Sequence, residues 1–333
     1  MLVIEEKFVY LQQQNPPREP KGSVPGRNFY FIPMAKLTYT NQPLDYTELV
    51  AMMKSRGLAF KDEAKALEQL KIIGYFRLAS YLRPMESDKV NHQYKPGSTF
   101  ENAIDLYYFD KDLRAIVFSA IQSIEIAVRA KIMHNVSMQF GPFWFSDASN
   151  FAEASIFNKN LTHISEELTR SKEDFIQSHF SKYDSPALPP AWKTLEVTSF
   201  GTLSKLYYNL KDKGVKRSIA RELGLPQHLY LESWIQCVAV LRNIVAHHAR
   251  IWNRQFPLVP VMPAKLPNDW IDTTGLQNRR LYAVLSCVAY LENAVHPNSS
   301  FVGKIKASLA AHPNVDVAAM GFPADWENEP LWR

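Results

Sequence analysis

From Tyr46 onward, apolar positions recur with the period of an α-helix rather than of a strand. The stretch YTELVAMMKSRG closes on Gly57, a residue suited to the left-handed turn that ends helices. DEAKALEQLKIIGYFRLASYLRPM follows, with acids early and a proline near its end, and the two together predict a helical hairpin. After the loop HQYKPGST, a long helix is predicted from about Glu101 to about Val136. Its apolar stripe is Leu113, Ile116, Val117, Ala120, Ile121, Ile124 and Val128, and its other face carries Gln122, Glu125 and Arg129. Residues 137–190 mix aromatic and polar residues, and LPPAW at 188–192 makes a rigid entry into the next helix. Further helices are predicted over about 192–211, 214–223, 227–252, 275–295 and 300–310.

Alternating strand patterns are scarce and no fixed-period repeat is present, so the pattern predicts an all-α fold. Residues 1–45, with QQQNPPREPKGSVPGRN, show no period that could bury a face and read as a flexible N-terminal extension. The expected order is that extension, a helical hairpin over 46–95, a helical core over 96–310 and a C-terminal tail over 311–333.

Composition fits a folded protein: 333 residues, 46% hydrophobic and 12% aromatic, are enough to bury a sizeable core. The net charge of +5 is mild, but its distribution is uneven. Between 205 and 254 stand nine lysines and arginines, among them Lys213 and Arg217, against only Asp212, Glu222 and Glu232. Such an excess is compatible with an anionic partner. The two cysteines, Cys237 and Cys287, fall in apolar helical patterns and read as buried free thiols, without the paired spacing of a zinc site. MLVIEEKF lacks the order of a signal peptide and no apolar run reaches membrane-spanning length, so a cytoplasmic protein without a membrane partner is expected.

Candidate chemistry concentrates in LRNIVAHHARIWNR, residues 241–254. On a continuous helix, Trp234, Val238, Leu241, Val245, His248 and Trp252 share the apolar face. Asn243, His247, Arg250 and Arg254 share the opposite one, and Arg242 lies on the flank, about 140° round from His247. His248 then reads as a hydrogen-bonded core histidine. His247 reads either as a solvated polar-face residue or as a proton-transfer group. Two adjacent histidines do not share a face as metal ligands do, and neither a metal nor another cofactor is expected.

Histidine, arginine and an amide close together suit RNA cleavage. A neighbouring 2′-OH attacks the phosphate when one group moves its proton and cationic groups hold the developing charge. Glu125 and Arg129, at i and i+4, read either as a supplement to such a site or as an ordinary intrahelical ion pair. A non-cleaving RNA-binding regulator using Lys205, Tyr207, Tyr208, Lys213, Arg217 and Arg221, or a helical scaffold, are the competing readings.

Arg242-Asn243 followed by His247 resembles the R-x(4 to 6)-H signature of HEPN ribonucleases. The longer blocks IGYFRLASYLRPM, FENAIDLYYFDKDLRAIVFSAIQSIEIAVRAKI, LPPAWKTLEVTSFGTLSKLYYNL and LRNIVAHHARIWNR resemble the bacterial Abi-like (AbiD/AbiF type) abortive-infection family, in the same order. The resemblance implies a HEPN-like helical bundle and metal-independent endoribonuclease activity leaving a 2′,3′-cyclic phosphate, used as a toxin-like antiphage defence. It also implies control by a partner such as a small noncoding RNA. By carry-over, Arg242 would stabilise the phosphorane, His247 would serve as general acid or base and Asn243 would orient it. His248, Arg250, Arg254, Glu125, Arg129, Lys213 and Arg217 are supporting or RNA-binding candidates. Because Arg242 and His247 point apart on a continuous helix, a homodimer with facing motif helices is expected.

Overall fold

The computed structural model describes residues 42–333, so the greater part of the expected N-terminal extension lies outside the described residues. Among these, twelve α-helices and one two-stranded hairpin make up the regular structure, and the fold is all-α. The chain divides into two compact units, Met1–Ile104 and Asp105–Arg333.

In the first unit, α1 (Tyr46–Ser55) opens on a capping box in which Asp45 and Glu48 each bond the other's backbone N–H. The next pattern makes two helices rather than one. α2 (Glu63–Ile73) and α3 (Tyr75–Leu82) are split by Gly74, whose φ of 82° a side chain rarely tolerates. The strands β1 (Glu86–Asp88) and β2 (Gln93–Tyr94) pair antiparallel beyond α3. Val50, Met53, Leu70, Leu78 and Tyr81 form the buried centre of this unit.

α4 (Phe100–Phe140) is the predicted long helix, extended at its end to 41 residues and hence about 60 Å. Leu113, Val117, Ala120, Ile121, Ile124 and Val128 of its predicted stripe are buried. The second unit continues with α5 (Ala154–Arg170), α6 (Asp174–Lys182), α7 (Ala191–Val197), α8 (Phe200–Asn209) and α9 (Lys213–Glu222). It closes with α10 (His228–Ala246), α11 (Leu281–Val295) and α12 (Phe301–Ala311). The predicted helix over 192–211 is thus broken between α7 and α8, because the Ser199 hydroxyl accepts from the Thr202 N–H and starts a new helix.

α11 is buried on every side from Leu281 to Leu291, as a helix that is apolar all round must be. α10 packs on α8, α9 and α11, with Trp234 stacked on Trp270 at 5.2 Å and donating its indole N–H to the Val261 carbonyl at 2.8 Å. Residues 318–332 form three 3₁₀ turns that place Phe322, Trp326 and Trp332 in an aromatic cluster with Tyr282. Both cysteines are free and buried, and burial pushes the Cys237 thiol up to about 12. No described helix is long and apolar enough to cross a membrane.

Candidate active site at the end of helix α10

The apolar stripe of α10 follows the sequence pattern through Trp234, Val238, Leu241 and Val245, all buried. The helix then stops at Ala246 instead of running to about 252. His248 takes a left-handed φ of 56°, and two hydrogen bonds close the end: Ala249 N–H to the Ile244 carbonyl and His248 N–H to the Val245 carbonyl, both 3.0 Å. This is the Schellman arrangement, with histidine where glycine is usual. His247 becomes the C-cap, its N–H donating to the Asn243 carbonyl at 3.0 Å.

The reading of His248 as a core histidine is therefore overturned. His247 and His248 are both exposed, and the expected shared face of Asn243, His247, Arg250 and Arg254 does not exist, because the chain has left the helix before the last three. Ile251 and Trp252 do reach the core, but by way of the turn.

A residue that sequence reasoning passed over fixes this departure. Asp110 of α4, fully buried, accepts from the N–H of Ile251 at 3.1 Å and of Trp252 at 2.7 Å. Its other carboxylate oxygen pairs with the buried guanidinium of Arg114, one turn on. A continuous helix would have given those two N–H groups carbonyls of its own, whereas here they find a charged acceptor on another helix. The available signal was an acid and a base at i and i+4 interrupting the apolar side of α4.

Arg242 lies on α10 four residues before its end, with 38% of its side chain exposed, and its Nε is 3.5 Å from Oε2 of Glu125. Oε1 of the same carboxylate accepts from Arg129 at 2.8 Å. Arg129 is buried and also donates to the Thr198 carbonyl at 2.7 Å and to the Leu195 carbonyl, so it caps the C-terminal end of α7, where carbonyls point outward and favour a cation. The Glu125–Arg129 pair is thus an intrahelical ion pair whose free oxygen reaches the motif arginine. Arg129 itself is committed to protein carbonyls.

Of the remaining candidates, Arg250 lies over the Trp252 ring at 5.9 Å, and its carbonyl accepts from Arg254 at 3.2 Å. Lys213 and Arg217 are exposed on α9. They belong to the surroundings of His228, whose imidazole is held below its ordinary value chiefly by burial, with Lys216, Arg217 and Lys213 adding to the effect against Glu232. His228 begins α10 and His247 follows its end, so the two regions are about 28 Å apart along the helix axis.

The site therefore consists of an exposed Asn243 and His247 at a helix end, beside an arginine held by a carboxylate. Such a set supplies a proton carrier and a planar cationic donor at a surface that a polymer can reach. No curated protein and no solved structure matches the chain. Residues 68–253, more than half of the chain, match the family model described as Abi-like protein, and the chain belongs to that family.

Proposed function

We propose that this protein is a metal-independent endoribonuclease of antiphage abortive infection. The observation that carries the reading is the R-N-x-x-x-H set at the end of α10, with Asn243 and His247 exposed and Arg242 held by Glu125. In the reaction the 2′-oxygen attacks the adjacent phosphorus and the bond from phosphorus to the 5′-oxygen breaks. The 2′-OH proton is removed, the leaving oxygen receives one, and a 2′,3′-cyclic phosphate remains. His247 acts as general acid or base, since one imidazole nitrogen can take a proton and the other give one. Arg242 offers its guanidinium to the charge that builds on the phosphorane oxygens. The exposed Asn243 amide stands one helical turn before His247, where it would orient the imidazole. Membership of the Abi-like family supports the defensive role, and control by a partner such as a small noncoding RNA belongs to the same reading.

The homodimer is kept in this proposal on new grounds, since the continuous helix that first suggested it ends at Ala246. Beside Glu125, α4 exposes Ser119, Gln122, Ile126 and Ala130, an uncharged row on which Ile126 is 68% exposed. A second copy packed there would adjoin Arg242 of each chain.

The test is cleavage of end-labelled RNA with EDTA present. The wild type should cut and leave cyclic phosphate ends, whereas His247→Ala and Arg242→Ala should each lose at least about a hundredfold in rate. RNA bound but never cut by the wild type would instead favour the non-cleaving regulator.

A further inference from the structure

The outer side of α9 carries Lys213, Arg217 and Arg221 at four-residue intervals, and all three are exposed. They form one row, stepped by about 6 Å along the helix, close to the reach of one nucleotide between successive phosphates. The helix buries Val215, Ile219 and Ala220 on its inner side. Its two acids are engaged elsewhere. Asp212 accepts from the N–H of Gly214 and Val215 and from Gln139, while Glu222 accepts from Lys131 at 2.9 Å and Asn135 at 3.0 Å. Lys216, the fourth cation, is turned inward to the Tyr208 and Leu210 carbonyls and to Glu232. Among the described residues no carboxylate forms an ion pair with Lys213, Arg217 or Arg221. The Tyr208 turn that Lys216 ties to α9 exposes an aromatic ring, 48% accessible.

We propose that this face of α9 docks the phosphodiester backbone of single-stranded RNA, on a helix other than the one that carries the motif. On the exposed side of the helix only Gly214 and Ser218 stand between the cations, so what the face offers a partner is charge. A row of cations with no carboxylate paired to it is what the phosphates of a flexible strand meet. The row stands on α9 and the motif at the end of α10, so binding by the row and chemistry at His247 are separate contributions. The inference rests on the proposal that RNA is the substrate.

The test measures binding of a fluorescein-labelled poly-uridine strand to full-length His247→Ala protein across a salt series, with and without Lys213→Gln, Arg217→Gln and Arg221→Gln together. The triple change should weaken binding by at least about tenfold near physiological salt. It should also lower the slope of log affinity against log salt by about two, since each lost phosphate contact removes about 0.7. Its urea midpoint should match that of the parent. An unchanged affinity and slope, or no binding by the parent, would overturn the inference. Polyglutamate competing as well as poly-uridine does would overturn it too and assign the face to an acidic protein. Cleavage is read separately on the wild-type background. A wild type that never cuts, with the α9 dependence intact, removes the nuclease and leaves the docking face. A wild type that cuts, with KM unmoved by the triple change, does the reverse.

Discussion

Oε2 of Glu125 lies 3.5 Å from Nε of Arg242, while Oε1 of the same carboxylate is held by Arg129. Because Arg129 is tied to the carbonyls that end α7, the rotamer of Glu125 is set by a third helix, and the motif arginine is presented rather than left to sample solvent. Glu125→Gln keeps the shape and removes the charge. It should reduce cleavage by about tenfold and stability by about 1–3 kcal/mol, since Arg129 loses its charged partner. Arg242→Ala, at a half-exposed position, should abolish cleavage with a stability change of no more than about 0.5 kcal/mol. Urea denaturation alongside the RNA assay separates the two, and a Glu125→Gln protein as active as wild type would remove the positioning role.

His248 occupies a left-handed position, so its backbone rather than its imidazole should dominate the response to substitution. His248→Gly should be more stable than His248→Ala by about 1 kcal/mol, because both lose the imidazole and only alanine carries a Cβ into that region. The reverse order in urea midpoints would mean that the helix continues through this residue.

Asp110→Asn should cost about 3–5 kcal/mol, because the buried Arg114 is left without its ion-pair partner. Hydrogen exchange at the Ile251 and Trp252 amides should accelerate more than at amides in the middle of α10. Uniform acceleration across the second unit would reduce Asp110 to a general stabiliser.

The imidazoles of His179 and His228 are both held below their ordinary value of 6.5, in each case first by burial. With the folded value depressed, the unfolded chain takes up protons first as pH falls. The stability these residues contribute is therefore present above 6.5 and is lost as pH falls through their lower folded values. The urea midpoint should decline between about pH 6.5 and pH 5, and His179→Gln with His228→Gln should flatten that decline. A midpoint that rises on acidification over the same window would contradict the assignment.

Ile126→Glu places a charge in the uncharged row of α4 beside the site. If two chains pair there, light scattering should show a monomer and cleavage should fall together with dimer content, while thermal stability of the chain stays within about 0.5 kcal/mol. A wild-type protein that is monomeric at concentrations where it cuts RNA would remove the dimer.

The sequence by itself determined which faces are buried. The stripe of α4 and the α10 stripe through Val245 were legible from a 3.6-residue period, as were the all-α class and the two buried thiols. That period reports burial of side chains and is silent on where a backbone N–H finds its acceptor. The end of α10 was decided by such an acceptor, since Asp110, 141 residues before Ile251, takes two N–H groups that a longer helix would have kept. Gly74 and Ser199 divided helices whose apolar pattern ran on across the break, because a left-handed backbone or a hydroxyl cap costs little in side-chain burial. The junction of Glu125 with Arg242 likewise joins two helices far apart in the chain. Only the packing of α10 near α4 brought that carboxylate to the motif, since an exposed polar face, unlike an apolar one, carries no periodic mark of what it will meet.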